Sequence, residues 1–436
     1  MAAVPVGAPP PAKRKKEGPD CLETSPVPPA MVGADWSSLP YDLLRRIADT
    51  LQDTNDVDCY MDLRAVCRHW RSTTDDPRSD ATDPRFRPRQ WIVLDEVFTS
   101  DTRRLLVNTA SGRCLHRELP QLRDHHVVAT TLGGFFVLAD KSPPHTARVF
   151  NPLTGGLISF NAPVPPEGKV AAAVCFGMAS PMLTLLCDSS RKHYTAFPDS
   201  ECFITHEHEH QHKHNYGILR MAIRGGFDGG LQRLTQLQDV VFKINNSMKL
   251  VQVHPAQFLF NNLPETADPE DMVCFLMEFG GQALMIAKLH RLIKVIKFEP
   301  EHDVRARLQS IGRFAIFVGH ARCLAVDADK FPSVEANCVY YIERLGSSAH
   351  MCKYNLQDEK DERVSDAVDF VKHNKQFVLA ADRPFTIIHL IASYTIKVRD
   401  SELASQQIPF GEVFDEDETS PMFMDGGLLH LDELYH

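Results

Sequence analysis

The sequence predicts a mainly β protein, with a small helical segment near the N-terminus and a large all-β, propeller-like domain behind it. From Trp91 onward, short apolar runs rich in Val, Ile, Phe and Tyr recur about every 8 to 12 residues, the spacing of strands in propellers and sandwiches. Gly133-Gly134, Asn151-Pro152, Gly155-Gly156, Gly280-Gly281 and Gly346 fall between those runs, where turns are needed. Helical spacing of apolar residues, by contrast, stands out between Leu39 and Trp70.

Residues 1–34 are rich in Pro, Ala and Gly and almost free of large apolar side chains, so they are expected to be a disordered tail. Within them Lys13, Arg14, Lys15 and Lys16 form a proline-flanked basic cluster that resembles a nuclear import signal; a solvated charge run is the plainer reading.

In residues 35–75, Leu39, Leu43, Leu44, Ile47 and Leu51 share one helical stripe, with Ser38 as candidate N-cap and Pro40 in the first turn. A polar break at Gln52–Asp58 follows. A second helix then aligns Leu63, Val66, Cys67 and Trp70, with Arg64, Arg68 and Arg71 on a separate wet face. About 40 residues is near the lower limit for independent folding, so these stripes need a partner surface. The pattern resembles the F-box, which begins with Leu-Pro, continues with Leu-Leu and Ile, and closes on V-C-x-x-W-R. Leu39-Pro40, Leu43-Leu44, Ile47 and Val66 to Arg71 match it in order. The resemblance implies docking onto a Skp-type adaptor and through it a cullin, with Leu39, Pro40, Leu43, Leu44, Ile47, Leu63, Val66, Cys67 and Trp70 as the adaptor-binding residues.

Residues 76–90 read as a charged, proline-containing linker. Residues 91–390 form the β domain, whose expected strands include Trp91–Leu94, Phe135–Leu138, Asp239–Ile244, Leu250–Val253, Val273–Phe279 and Phe314–Val318. Blades of about 40 to 50 residues would fit six or seven into that length. Val170–Cys187 carries no charge but is interrupted by Gly177, Ser180 and Pro181 and falls short of the roughly 20 residues of a membrane span; it reads as two buried strands joined by a turn.

Most of the β domain resembles the plant domain of unknown function 295. Asn151-Pro152-Leu153-Thr154-Gly155 is similar to the N-P-x-T-G turn of plant F-box proteins, and Leu276–Leu289, Ser310–Gly319 and Phe331–Ile342 are similar to strands of that domain. The chain departs from it at Ser333-Val334-Glu335, where a Gly-containing loop is usual, and at Glu343 and Arg344, where aspartates are common. Residues 198–236 fit it poorly.

That stretch holds His206, His208, His210, His212 and His214, alternating with polar residues. His206-Glu207-His208-Glu209-His210 satisfies H-E-x-x-H, but the zinc-protease chemistry of that motif needs a helix, and no apolar face is present to hold one. A solvated loop is expected, with opportunistic zinc or nickel binding only and no catalytic metal. No phosphate loop, dinucleotide fingerprint or nucleophile elbow occurs, and no cofactor is expected. Cys175, Cys187, Cys274 and Cys338 lie in apolar runs and read as core thiols.

Residues 391–436 read as an acidic C-terminal segment, in which Glu402, Glu412, Asp415 and Glu416 are interspersed with Phe410, Phe414 and Phe423. The net charge of −10 argues against a nucleic-acid binder, and no membrane association is expected. The 11 cysteines are scattered without a C-x-x-C pair, and the N-terminus lacks a signal-peptide core, pointing to the nucleus and/or cytoplasm.

These readings converge on a non-catalytic substrate-recognition subunit of an SCF-type cullin-RING ubiquitin ligase, the β domain binding a target protein that no short motif identifies. The alternatives are a scaffold or inhibitor without a ligase role and, further off, a metal-dependent hydrolase using the His cluster.

Overall fold

The structure is a computed structural model that describes residues 36–94, 102–176, 180–187, 189–207, 223, 273–289, 291–299, 304–345, 348–364, 369–373, 376–380, 386–396 and 400–407. The tail with Lys13–Lys16, the strands expected at 239–244 and 250–253, His208 to His214 and the acidic residues beyond Gln407 lie outside the described residues.

Three helices open the described chain: α1 Tyr41–Asp53, α2 Val57–Ala65 and α3 Arg68–Thr73. The first intrahelical bond runs from the Leu44 N–H to the Pro40 carbonyl at 3.1 Å, so Pro40 rather than Ser38 is the N-cap, and it has no side-chain cap bond. A residue before proline is pushed out of the helical region, which stops the helix from reaching back to Ser38. The second expected helix is two. Cys67 is extended (φ −157°, ψ 172°), and its Sγ accepts from the Trp70 N–H at 3.4 Å, capping α3.

Arg64 is buried rather than wet. Its Nη1 donates to the carbonyls of Thr74 and Asp75, each at 2.6 Å, and its Nη2 lies 3.4 Å from Asp76. The chain after α3 wraps over it and offers carbonyls that replace water.

Five sheets of three to five strands follow among the described residues, and they make a five-bladed β-propeller. The first is β1 Trp91–Leu94, β2 Arg103–Asn108 and β3 Cys114–Glu118. The second is β4 His125–Thr130, β5 Phe136–Asp140, β6 Thr146–Phe150 and β7 Leu157–Pro163. The third is β8 Val170–Cys175, β9 Met182–Cys187, β10 Lys192–Ala196 and β11 Ile204–Glu207. The fourth is β12 Val273–Phe279, β13 Gln282–Leu289, β14 Leu292–Glu299 and β15 Val304–Arg307. The fifth is β16 Phe314–Val318, β17 Cys323–Asp327, β18 Cys338–Leu345, β19 Ser348–Asn355 and β20 Asp361–Arg363, where β16 pairs antiparallel with β17 and parallel with β18. A separate hairpin, β21 Asp369–His373 with β22 Gln376–Ala380, completes the strands.

The expected six or seven blades are therefore five. The length-based expectation counted residues 208–272, of which only Ile223 is described. The two strands expected within Val170–Cys187 are β8 and β9, paired antiparallel from Val170–Cys187 to Cys175–Met182. No helix among the described residues is long and apolar enough to cross a membrane.

The core runs between blades. Val137, Phe160, Val174 and Leu185 join the second blade to the third; Phe275, Ile286, Ile316 and Tyr341 join the fourth to the fifth. Ile92, Val107, Phe317 and Tyr340 join the fifth to the first, and Trp91, Leu106, Phe136 and Phe150 join the first to the second. Strand alternation feeds these seams: along β7, Ile158, Phe160 and Ala162 are buried while their neighbours are exposed.

The segment expected to be a free acidic tail from residue 391 begins with packed helices. In α4 Ile387–Ile396, Ile388, Ile391 and Ala392 join the cluster between the fifth and first blades. In α5 Glu402–Gln407, Leu403 enters the cluster between the second and third blades, and Glu402 Oε2 accepts the Val127 N–H at 2.8 Å. Charge counting missed this because the apolar run Ile387 to Ile396 precedes the acidic residues.

Candidate docking face and its junction with the propeller

Helical spacing placed the apolar residues of α1 on one stripe, and the structure divides that stripe in two. Leu44 and Ala48 are buried with Tyr60, Leu63 and Phe86, and Leu39, Leu51 and Trp70 pack against that cluster. Leu43 and Ile47 face outward and are 45% and 42% exposed. Around them Trp36, Tyr41 and Val66 are 68%, 51% and 57% exposed, and Pro40 is exposed as well. Large apolar side chains that nothing among the described residues covers make this face a candidate interaction surface. Of the nine residues singled out in the sequence, Pro40, Leu43, Ile47 and Val66 therefore face solvent, while Leu44 and Leu63 support them from behind. Sequence reasoning missed Trp36 and Tyr41; their signal was an aromatic on each side of Leu39-Pro40.

The segment leading into α1 is tied to α3. Trp70 Nε1 donates to the Trp36 carbonyl at 3.1 Å, and His69 Nε2 lies 3.3 Å from the Leu39 carbonyl. Cys67 caps α3 and so sets the direction of Trp70.

The linker is packed rather than free. Phe86 is 3% exposed inside the helical cluster, with its ring centroid 5.1 Å from that of Tyr60. Its carbonyl accepts from Asn151 Nδ2 at 2.8 Å, while Asn151 Oδ1 accepts the Leu153 N–H at 3.0 Å. The N-P-x-T-G turn between β6 and β7 thus clamps the linker, and Arg78 Nε reinforces it by donating to the Thr154 carbonyl at 3.1 Å. From the other side, Val57 of α2 belongs to the propeller cluster around Trp91. Asn55 Nδ2 donates to the Arg87 carbonyl at 3.1 Å, and the Arg87 guanidinium stacks on the Phe176 ring 3.7 Å from its centroid.

At this junction a cavity of about 1040 Å³ opens at one mouth of the propeller, walled by Asn55, Arg87, Leu132, Phe176, Phe279 and Phe314 among others. It draws on the α1–α2 loop and on all five blades.

The His-rich motif begins on a strand. His206 and Glu207 belong to β11, an exposed edge strand, so they project to opposite faces instead of sharing the helix that H-E-x-x-H requires. Glu207 is paired with Lys192 at 2.8 Å. The expected loop is thus replaced, at its start, by a strand. No group of three or more His, Cys, Asp or Glu suited to a metal occurs among the described residues. None of the ten cysteines described forms a disulfide, and burial pushes the thiols of Cys338 and Cys352 up to about 11, away from the range of an active nucleophile.

The helical module with its exposed apolar face packs against the β-propeller, and residues 36–82 match the F-box domain model, which makes this an F-box protein. Residues 106–364, more than half of the chain, match the KIB1-4 beta-propeller model, and the chain belongs to that family. No curated protein matches it. Among solved structures it is similar to the WD40 domain of SCAP from fission yeast, at 9% identity over 67% of this chain and 70% of that one, with a TM-score of 0.19.

Proposed function

We propose that the protein is the substrate-recognition subunit of an SCF-type cullin-RING ubiquitin ligase. In this reading a Skp-type adaptor covers Trp36, Pro40, Tyr41, Leu43, Ile47 and Val66, and the propeller holds a target protein. The observation that carries it is the outward half of the α1 stripe, an apolar face left uncovered within the stretch that matches the F-box. F-box domains in general bind Skp1-type adaptors within cullin complexes. Fully burying a Leu, Ile or Val contributes about 1.5 to 3 kcal/mol, and roughly half of that for side chains already half covered, so Leu43, Ile47 and Val66 supply a share of the docking energy to which Trp36 and Tyr41 add their larger area.

The chain's part in ubiquitin transfer is proximity rather than catalysis. Holding the target beside a charged conjugating enzyme replaces a bimolecular encounter with a local concentration of about mM or more. The buried, raised-pKa thiols and the paired Glu207 accord with a non-catalytic role. Action in the nucleus and/or cytoplasm is part of the reading, supported by the scattered cysteines and the Lys13–Lys16 cluster in the sequence.

The test is a pull-down of purified Skp-type adaptor by the full chain and by a Leu43→Asp/Ile47→Asp variant. Both side chains point away from the core, so the variant should melt like the parent and lose the adaptor. Adaptor retained at parental yield by the folded variant would overturn the reading.

A further inference from the structure

We propose that His193 and His206 form a two-histidine site for a divalent transition-metal ion on the outer edge of the third blade. This goes beyond the ligase reading and does not depend on it. The two residues are direct partners in the antiparallel β10–β11 ladder, and their rings stack with centroids 4.3 Å apart and planes 7° from parallel.

Directly opposed residues in an antiparallel pair hold their Cβ atoms within about 5.5 Å. The rings need only fan out of the stack for one nitrogen of each to meet a shared ion at about 2.0 to 2.1 Å. Thr195 Oγ1 lies 3.4 Å from His206 Nε2, which leaves Nδ1 as the metal-facing nitrogen and orients the ring as an outer-shell oxygen orients a metal-bound imidazole. On the opposite face of the same two strands, the Lys192–Glu207 ion pair at 2.8 Å holds the register that keeps the histidines opposed.

The chemistry selects the ion. Neutral imidazoles suit copper, nickel and zinc and are poor ligands for magnesium or calcium. All four residues of β11 are exposed, so water fills the remaining coordination positions, and the net charge of −10 favours cation approach. A bound ion fastens β11, which among the described residues has no strand partner on its outer side, to β10.

The test uses the full chain without an affinity tag, with His208, His210, His212 and His214 all changed to Asn so that those imidazoles do not compete. Nickel chloride is titrated at about pH 7.5 by calorimetry, and melting is followed with and without the ion. One Ni²⁺ per chain is expected, with a higher melting temperature in its presence. His193→Asn and, separately, His206→Asn should each weaken binding at least about tenfold. The exposed position of His206 keeps the test valid if the His193 variant folds poorly. Unchanged binding in either folded single variant, or no stoichiometric binding by the parent, would overturn the proposal.

Discussion

Arg113, in the turn between β2 and β3, forms an ion pair with Asp58 of α2, whose carboxylate is buried. The pair crosses from propeller to F-box. Burial raises the Asp58 pKa above its ordinary value, and Arg113 and the backbone N–H groups of Asp58 and Cys59 pull it part of the way back. A raised carboxyl pKa means that this group favours the folded state most in acid and that its contribution is lost as pH rises through the folded value. Without Arg113 the buried charge is left uncompensated. Arg113→Ala should cost about 2 to 4 kcal/mol at neutral pH, somewhat under the figure for a fully buried pair because Arg113 is a third exposed. The cost should shrink toward pH 4, and Asp58→Asn in the same chain should recover more than half of it; urea melts at two pH values check both.

Phe86 lies beyond the F-box match yet completes the F-box core with Leu44, Ala48, Tyr60 and Leu63. A fragment of residues 36–82 should therefore show little helix by circular dichroism. In the full chain, Phe86→Ala should cost about 3 to 5 kcal/mol through the cavity it leaves. A fragment that folds as well as the intact module would show that the linker is incidental.

His126 is 4% exposed on β4, and burial lowers its pKa, with Lys141, His145 and His125 adding to the effect and Glu402 of α5 opposing it. A depressed imidazole pKa means that the unfolded chain takes up the proton first, so stability is lost as pH falls below about 6.5 toward the folded value. Changing His126 to Asn should flatten the fall in melting temperature between about pH 7 and pH 5, while Glu402→Gln, by removing the opposing charge, should steepen it.

Gly319 closes the turn after β16 against the end of α4, and a Cβ there would stand 2.1 Å from the Thr395 carbonyl oxygen. The same carbonyl accepts the N–H groups of Ala321 and Arg322 at 3.0 and 2.9 Å. Gly319→Ala should lift the end of α4, costing about 1 to 3 kcal/mol and exposing the helix to limited proteolysis.

Ser333 occupies the loop where the resembled domain carries glycine, and its φ is +73°, in the left-handed region that L side chains resist. Ser333→Gly should stabilise the chain by up to about 1 kcal/mol, readable as a shift in the urea midpoint.

Local chemistry was enough to mark the F-box, because Leu39-Pro40, Leu43-Leu44 and Cys67-x-x-Trp70-Arg71 occur in order at fixed spacing, and to mark β1, β5, β12 and β16, because their apolar runs are bounded by turn residues. Helical period alone could not tell Leu43 from Leu44, adjacent residues of one stripe; the choice belongs to Phe86 and Tyr60, which fill the space behind Leu44. Arg64 is buried only because the carbonyls of Thr74 and Asp75 fold back over it, and charge patterning does not register distant carbonyls. The same holds for His206, whose partner His193 precedes it by a turn and a strand pairing. The sequence by itself determined that a mainly β chain follows a short helical module and that this module is an F-box, since those follow from short-range periodicity and motif. The blade number, the docking of α4 and α5, the clamp on Phe86 and the outward half of the α1 stripe were decided only by tertiary structure, because each depends on residues far apart in the chain competing for the same buried space.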